Sequence, residues 1–167
     1  LLHGTPSAKF SPCGQLILAG LGDGSAHLIN AETGEDVYVL RPRSRAGSTL
    51  SVAFSPCGQW LYHSDTAKRQ MYRFRRTETG ATDREPFIRF EEADGYPDGM
   101  TVDAEGHIWV AHWGGGRISR FTPDGTLDRA IPMPARQVTN ICFAGPDLDR
   151  MFVSSAAVGL DDPSEHD

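Results

Sequence analysis

Cysteine is scarce in this 167-residue chain, and long apolar runs are missing altogether. The three cysteines, Cys13, Cys57 and Cys142, form an odd set without pairing cues, which fits a reducing compartment and sets the cytoplasm as the expected location. Cys13 and Cys57 occupy equivalent turn positions in two different repeats, so a bond between them is not expected. Cys142 lies in an apolar stretch and reads as a small packed hydrophobe. With no run of about 18 apolar residues, no membrane span is expected, and no secretory leader is visible. Net positive charge is lacking too: the balance is −6, against a nucleic-acid surface. Two basic clusters, residues 41–45 and 68–76, read as solvated loop and strand surface. No long amphipathic helical spacing occurs, which leaves an all-β chain.

A repeat takes the place of those features. Ser-Pro-Cys-Gly turns follow Phe10 and Phe54, and Asp-Ala-Glu-Gly follows Val102. The anchors Phe10, Phe54, Val102 and Phe143 stand 44, 48 and 41 residues apart. Each begins a hairpin of alternating apolar residues, followed by further short strands such as residues 26–30, 71–75 and 117–122, with residues 36–40 and 87–90 as closing strands. Such a period, carrying about four strands, predicts the blades of a β-propeller. At roughly 40–50 residues per blade, three to four blades fit, so a single partial propeller domain over residues 1–167 is expected, with blades missing at both ends. A small four-bladed propeller, or an array closing by oligomerisation, is the alternative. Gly 18 and Pro 11 supply the turns such a fold needs.

Several motifs point away from other chemistries. Residues 114–116 are three glycines without the Lys-Ser/Thr and helix of a phosphate loop. Ser154 and Ser155 lack a nucleophile elbow, and His3, His27, His107 and His166 lack zinc-ligand spacing. His63 and Asp65 share one strand face, a spacing that serves a metal or an acid–base pair, but the favoured reading is a hydrogen bond between them that orders a blade edge. Residues 103–106 and the pair Asp161, Asp162 are acidic, and read as a solvated turn and a polar tail. Trp113 is a candidate sugar-stacking residue if its strand runs toward the site, and otherwise a packing residue over the glycine turn.

Residues 54–66, 97–111 (Pro-Asp-Gly-Met onward), 114–121 (Gly-Gly-Gly-Arg) and 139–148 together resemble the senescence-marker-protein/gluconolactonase family, to which regucalcin belongs. The resemblance implies a six-bladed propeller holding one divalent metal, calcium or zinc with manganese as a third candidate. It implies hydrolysis of sugar-acid lactones, with a small sugar lactone as the partner molecule. It also assigns Asp98, in Pro-Asp-Gly, as metal ligand and as the catalytic carboxylate that assists water attack. The bland alternative for Asp98 is a turn-capping residue. Two positions depart from the family pattern: Leu50 stands at a metal-binding Asn, and Pro6 at a substrate-binding Asn. Leu cannot coordinate a hard cation. These departures favour the second reading, a non-catalytic propeller for binding or scaffolding, or a degenerate family member.

Overall fold

Short runs of β-branched, aromatic and aliphatic residues, punctuated by glycine turns, fold into antiparallel meanders in the computed structural model, which describes residues 7–41, 49–82 and 84–158. Two compact units result, Leu1–Arg89 and Phe90–Asp167.

The first unit holds two sheets. Strands β1 (Ser7–Phe10), β2 (Leu16–Gly20), β3 (Ala26–Asn30) and β4 (Asp36–Leu40) pair in sequence order, each antiparallel to the next. Strands β5 (Thr49–Phe54), β6 (Trp60–Asp65) and β7 (Gln70–Thr77) repeat the pattern, and β8 (Gly80–Ala81) and β9 (Glu85–Arg89) both pair with β7. Leu18, Leu28, Val52, Phe54, Leu61 and Phe74 form the buried core of this unit. β6 is buried along nearly its whole length, as an interior strand should be.

The second unit repeats the meander as β10 (Tyr96–Val102), β11 (Ile108–Trp113), β12 (Arg117–Phe121) and β13 (Leu127–Pro132), followed by the pair β14 (Val138–Ala144) and β15 (Arg150–Ser155). Trp109, Ala111, Ile118, Val138 and Ile141 join β11, β12 and β14 in one apolar cluster.

Equivalent turns use equivalent chemistry. Ser11 Oγ accepts from the Leu16 amide at 3.0 Å, and Ser55 Oγ from the Trp60 amide at 3.0 Å. Asp103 Oδ1 does the same for the His107 amide at 2.9 Å. A side-chain oxygen thus closes the turns that follow β1, β5 and β10. At the other end of β5, β10 and β14 the pairing register slips, between Thr49 and Val52, Pro97 and Met100, and Val138 and Asn140. Such bulges re-aim side chains and commonly sit beside functional sites.

Three expectations change here. The Asp65 carboxylate is engaged by Lys68, accepting from its ammonium at 2.6 Å and from its amide, and caps a short 3-10 turn at Thr66–Lys68. The cation three residues on is the stronger partner for a buried carboxylate. Cys142 is exposed rather than packed, because its strand β14 buries the alternate residue Ile141. The basic residues 68–76 are also engaged: Arg73 stacks on Trp60 and Phe87, and Arg76 Nε donates to the Gly58 carbonyl. Residues 42–45, Pro6 and Asp161–Asp162 lie outside the described residues, as does the Leu50 side chain.

Candidate active site

Asp98 sits in the bulge of β10, between Pro97, which pairs with His112, and Met100, which pairs with Val110. Its carboxylate is half-buried and makes no hydrogen bond or ion pair among the described residues. Burial raises its pKa from 3.8 to about 6, since the charged form loses water without gaining a protein partner. A capping role would show an amide bonded to this carboxylate, and none is present among the described residues.

The chain entering Asp98 is held tightly. Glu92–Asp94 forms a 3-10 turn whose Asp94 Oδ2 accepts from the Glu91 amide and whose Oδ1 pairs with Arg117 at 2.5 Å. The His112 Nδ1–H donates to the Asp94 carbonyl at 2.8 Å. Burial, with the Arg117 charge nearby, lowers the His112 pKa to about 4, so the ring is neutral and its proton sits on Nδ1. Backbones meet here without room for side chains: a Cβ at Gly95 would lie 2.7 Å from the Gly115 amide nitrogen, and one at Gly115 would overlap the Asp94 carbonyl. The triple glycine of residues 114–116 therefore seats the turn that leads into Asp98.

β14 closes over the other side. A Cβ at Gly99 would overlap Asn140 Oδ1 and lie 2.5 Å from the Thr139 carbonyl oxygen. Asn140 Oδ1 accepts from the Ile141 amide at 2.8 Å. Counting from the anchors aligns Asn140 with Gly99 and not with Asp98, so no motif singles it out.

β11 runs toward the Asp98 end of its sheet and carries Trp113 there. That residue ends the strand opposite Tyr96, two positions before Asp98, with a backbone bridge to Gln137 and a partly exposed side chain. The structure thus brings Trp113 to the same end of the sheet as Asp98.

Asp103, Glu105 and His107 offer ligand atoms within 4.8 Å of one another. Arg120 already fills this cluster, donating to Asp103 at 2.9 Å, Glu105 at 2.7 Å and Asp128 at 3.1 Å. Burial would raise the Asp103 pKa, but the bonds from Trp109 and Arg120 outweigh it and hold it below the ordinary value. A fixed guanidinium excludes a cation, so this turn is a polar knot rather than the solvated turn expected. A cleft of about 810 Å³ opens in the first unit among Phe10, Gln15, Leu28, Asn30, Glu32 and Arg76. It lies at the Ser-Pro-Cys-Gly ends of its strands and holds none of the candidate site residues.

Residues 8–157 match the model of the SMP-30/Gluconolactonase/LRE-like region. The chain belongs to this family of β-propeller proteins. It is 44% identical over 123 residues to the pentonolactonase XacC of Haloferax volcanii, covering 72% of this chain and 42% of that protein. It is 34% identical over 140 residues to the L-arabinolactonase of Azospirillum brasilense, covering 83% and 45%. Among solved structures, the calcium-binding protein regucalcin from Agrobacterium tumefaciens superposes with a TM-score of 0.78 at 29% identity, over 94% of this chain and 55% of that one. The chain spans about half the length of these relatives or less.

Proposed function

We propose that this chain carries part of the active site of a metal-dependent lactonase acting on sugar-acid lactones, with Asp98 as metal ligand and catalytic carboxylate. One observation carries the reading: a half-buried carboxylate, raised to about pH 6, with no protein partner among the described residues. Such a group suits an oxygen-ligating cation, calcium or zinc with manganese as a third candidate. A bound cation supplies Lewis-acid polarisation of the lactone carbonyl. Asp98 accepts the proton of the attacking water as the water oxygen bonds to the carbonyl carbon. The ring C–O bond then breaks, the ring oxygen takes up a proton, and an aldonate is left. Trp113 offers an aromatic face for the sugar at the same sheet end.

The substrate class rests on the lactonases among the relatives, gluconolactone or a pentonolactone being the candidates. We also propose that both units belong to one partial propeller domain, supported by a family match that spans them. Free Cys13, Cys57 and Cys142 support a cytoplasmic location, and the charge of −6 argues against nucleic acid as a partner. Leu50, where the family pattern has an Asn, favours a second reading, a non-catalytic binding propeller.

Calorimetric titration with calcium, zinc and manganese, beside Asp98→Ala and a lactone hydrolysis assay, separates the two. The lactonase reading expects about one ion per chain, lost in Asp98→Ala together with hydrolysis. Wild-type protein that neither binds an ion nor opens a lactone sinks it.

A further inference from the structure

We propose that Asn140 contacts the substrate and sets specificity at the Asp98 site, its carboxamide NH2 donating to a hydroxyl of the sugar lactone. This rests on the lactonase reading and adds a residue that neither the sequence motif nor the family pattern assigned.

The geometry starts with two bulges in one unit. The first re-aims β10 at residues 98–99, and the second re-aims β14 at residues 139–140. They meet at Gly99, whose missing side chain leaves the space that the Asn140 amide and the Thr139 carbonyl occupy. Asn140 is therefore packed against the residue next to Asp98, although 42 positions separate the two in sequence.

The orientation of the amide follows from its partner. The Ile141 backbone N–H is a donor, so the atom facing it at 2.8 Å is the carboxamide oxygen. The NH2 end points elsewhere and has no partner among the described residues, while the side chain as a whole is exposed. Thr139 stands at the position equivalent to Asp98, and its Oγ1 is already engaged with Ser154 Oγ at 2.8 Å. Asn140 is thus an unspent donor packed against the residue that follows Asp98, whose carboxylate accepts. A polyhydroxylated substrate needs both kinds of group. A site built to bond a hydroxyl discriminates against the analogue that lacks it, because its own polar group is then left unpaired.

Purified protein and its Asn140→Ala and Asn140→Ser variants would be compared on a hydroxylated aldonolactone and on the plain unsubstituted lactone ring. Binding of sodium gluconate would be followed separately by chemical-shift titration, and thermal melts would confirm that the variants fold. Asn140→Ser serves if the alanine variant melts early. The expected result is a KM raised about tenfold for the hydroxylated lactone, kcat within about threefold, little change for the plain ring, and gluconate affinity lowered by a similar factor. Unchanged KM and gluconate affinity in folded variants, with wild-type hydrolysis intact and dependent on Asp98, overturn the role of Asn140 alone. Wild-type protein inert toward every lactone overturns the lactonase reading, and the role of Asn140 with it.

Discussion

Gly99 is the residue on which the site's packing turns. Most glycines here serve turns, but this one lies inside a strand because a neighbouring strand needs its space. The Asn140 amide could swing away from an added methyl, but the Thr139 carbonyl is backbone and cannot. Gly99→Ala is expected to destabilise the protein by about 1–3 kcal/mol, the usual cost of overpacking. Adding Asn140→Ala should restore only part of that loss, since the carbonyl contact remains. Denaturant melts of the two single variants and the double measure this directly, and full recovery in the double would assign the whole cost to the amide.

At the scale of elements, the hairpin of β10 and β11 is tied to β12 by one side chain. Arg120 spans Asp103 and Glu105 in the turn and Asp128 on β13, and its guanidinium also lies 5.5 Å from the Trp109 ring centroid. Burial opposes its charge, but the bonds to these carboxylates outweigh that and raise its pKa, so it remains charged at any working pH. Arg120→Ala is expected to cost about 2–3 kcal/mol, as for hydrogen bonds to charged groups in partly buried settings. Arg120→Lys should recover little, because a single ammonium cannot reach three carboxylates. Urea melts followed by tryptophan fluorescence test this; a cost below about 0.5 kcal/mol would reduce the knot to a surface ion cluster. The same network explains why an acidic stretch that looked solvated in the sequence is not open to a cation.

At the scale of the whole molecule, two groups of the second unit pull its stability in opposite directions with pH. Asp98 has its folded pKa raised from 3.8 to about 6, so its favourable contribution is present at low pH and is lost as pH rises across that span. His112 has its folded pKa lowered from 6.5 to about 4, so its contribution is present above 6.5 and is lost as pH falls toward 4. In metal-free protein the two trends largely offset each other between pH 4 and 6.5. Asp98→Asn should expose the His112 trend, with Tm falling as pH is lowered from 7 to 4.5. His112→Gln should expose the opposite trend. In melts run in chelator and read by Trp109 and Trp113 fluorescence, a variant whose curve stays parallel to that of the wild-type protein would overturn the assignment of the residue it replaces.

Strand positions, turn chemistry and the repeat follow from local sequence, because alternation and Gly-closed turns are written in neighbouring residues. β3 and β4 fall where the alternation places them, and the three turn-closing oxygens of Ser11, Ser55 and Asp103 were visible as a motif. Asp98 stood out only through the family resemblance of its Pro-Asp-Gly segment, since the residues by themselves read as a turn. What depended on non-local packing was not. Cys142 is exposed because β14 turns its neighbour Ile141 into the core that β11 and β12 share. The raised pKa of Asp98 comes from burial without a partner, a property of its surroundings rather than of its motif. Asn140 reaches Gly99 only because two strands distant in sequence bulge toward each other. Local sequence determined the elements and their turns; only the tertiary structure decided what stands beside the Pro-Asp-Gly segment, since contacts between strands carry no signature in either strand alone.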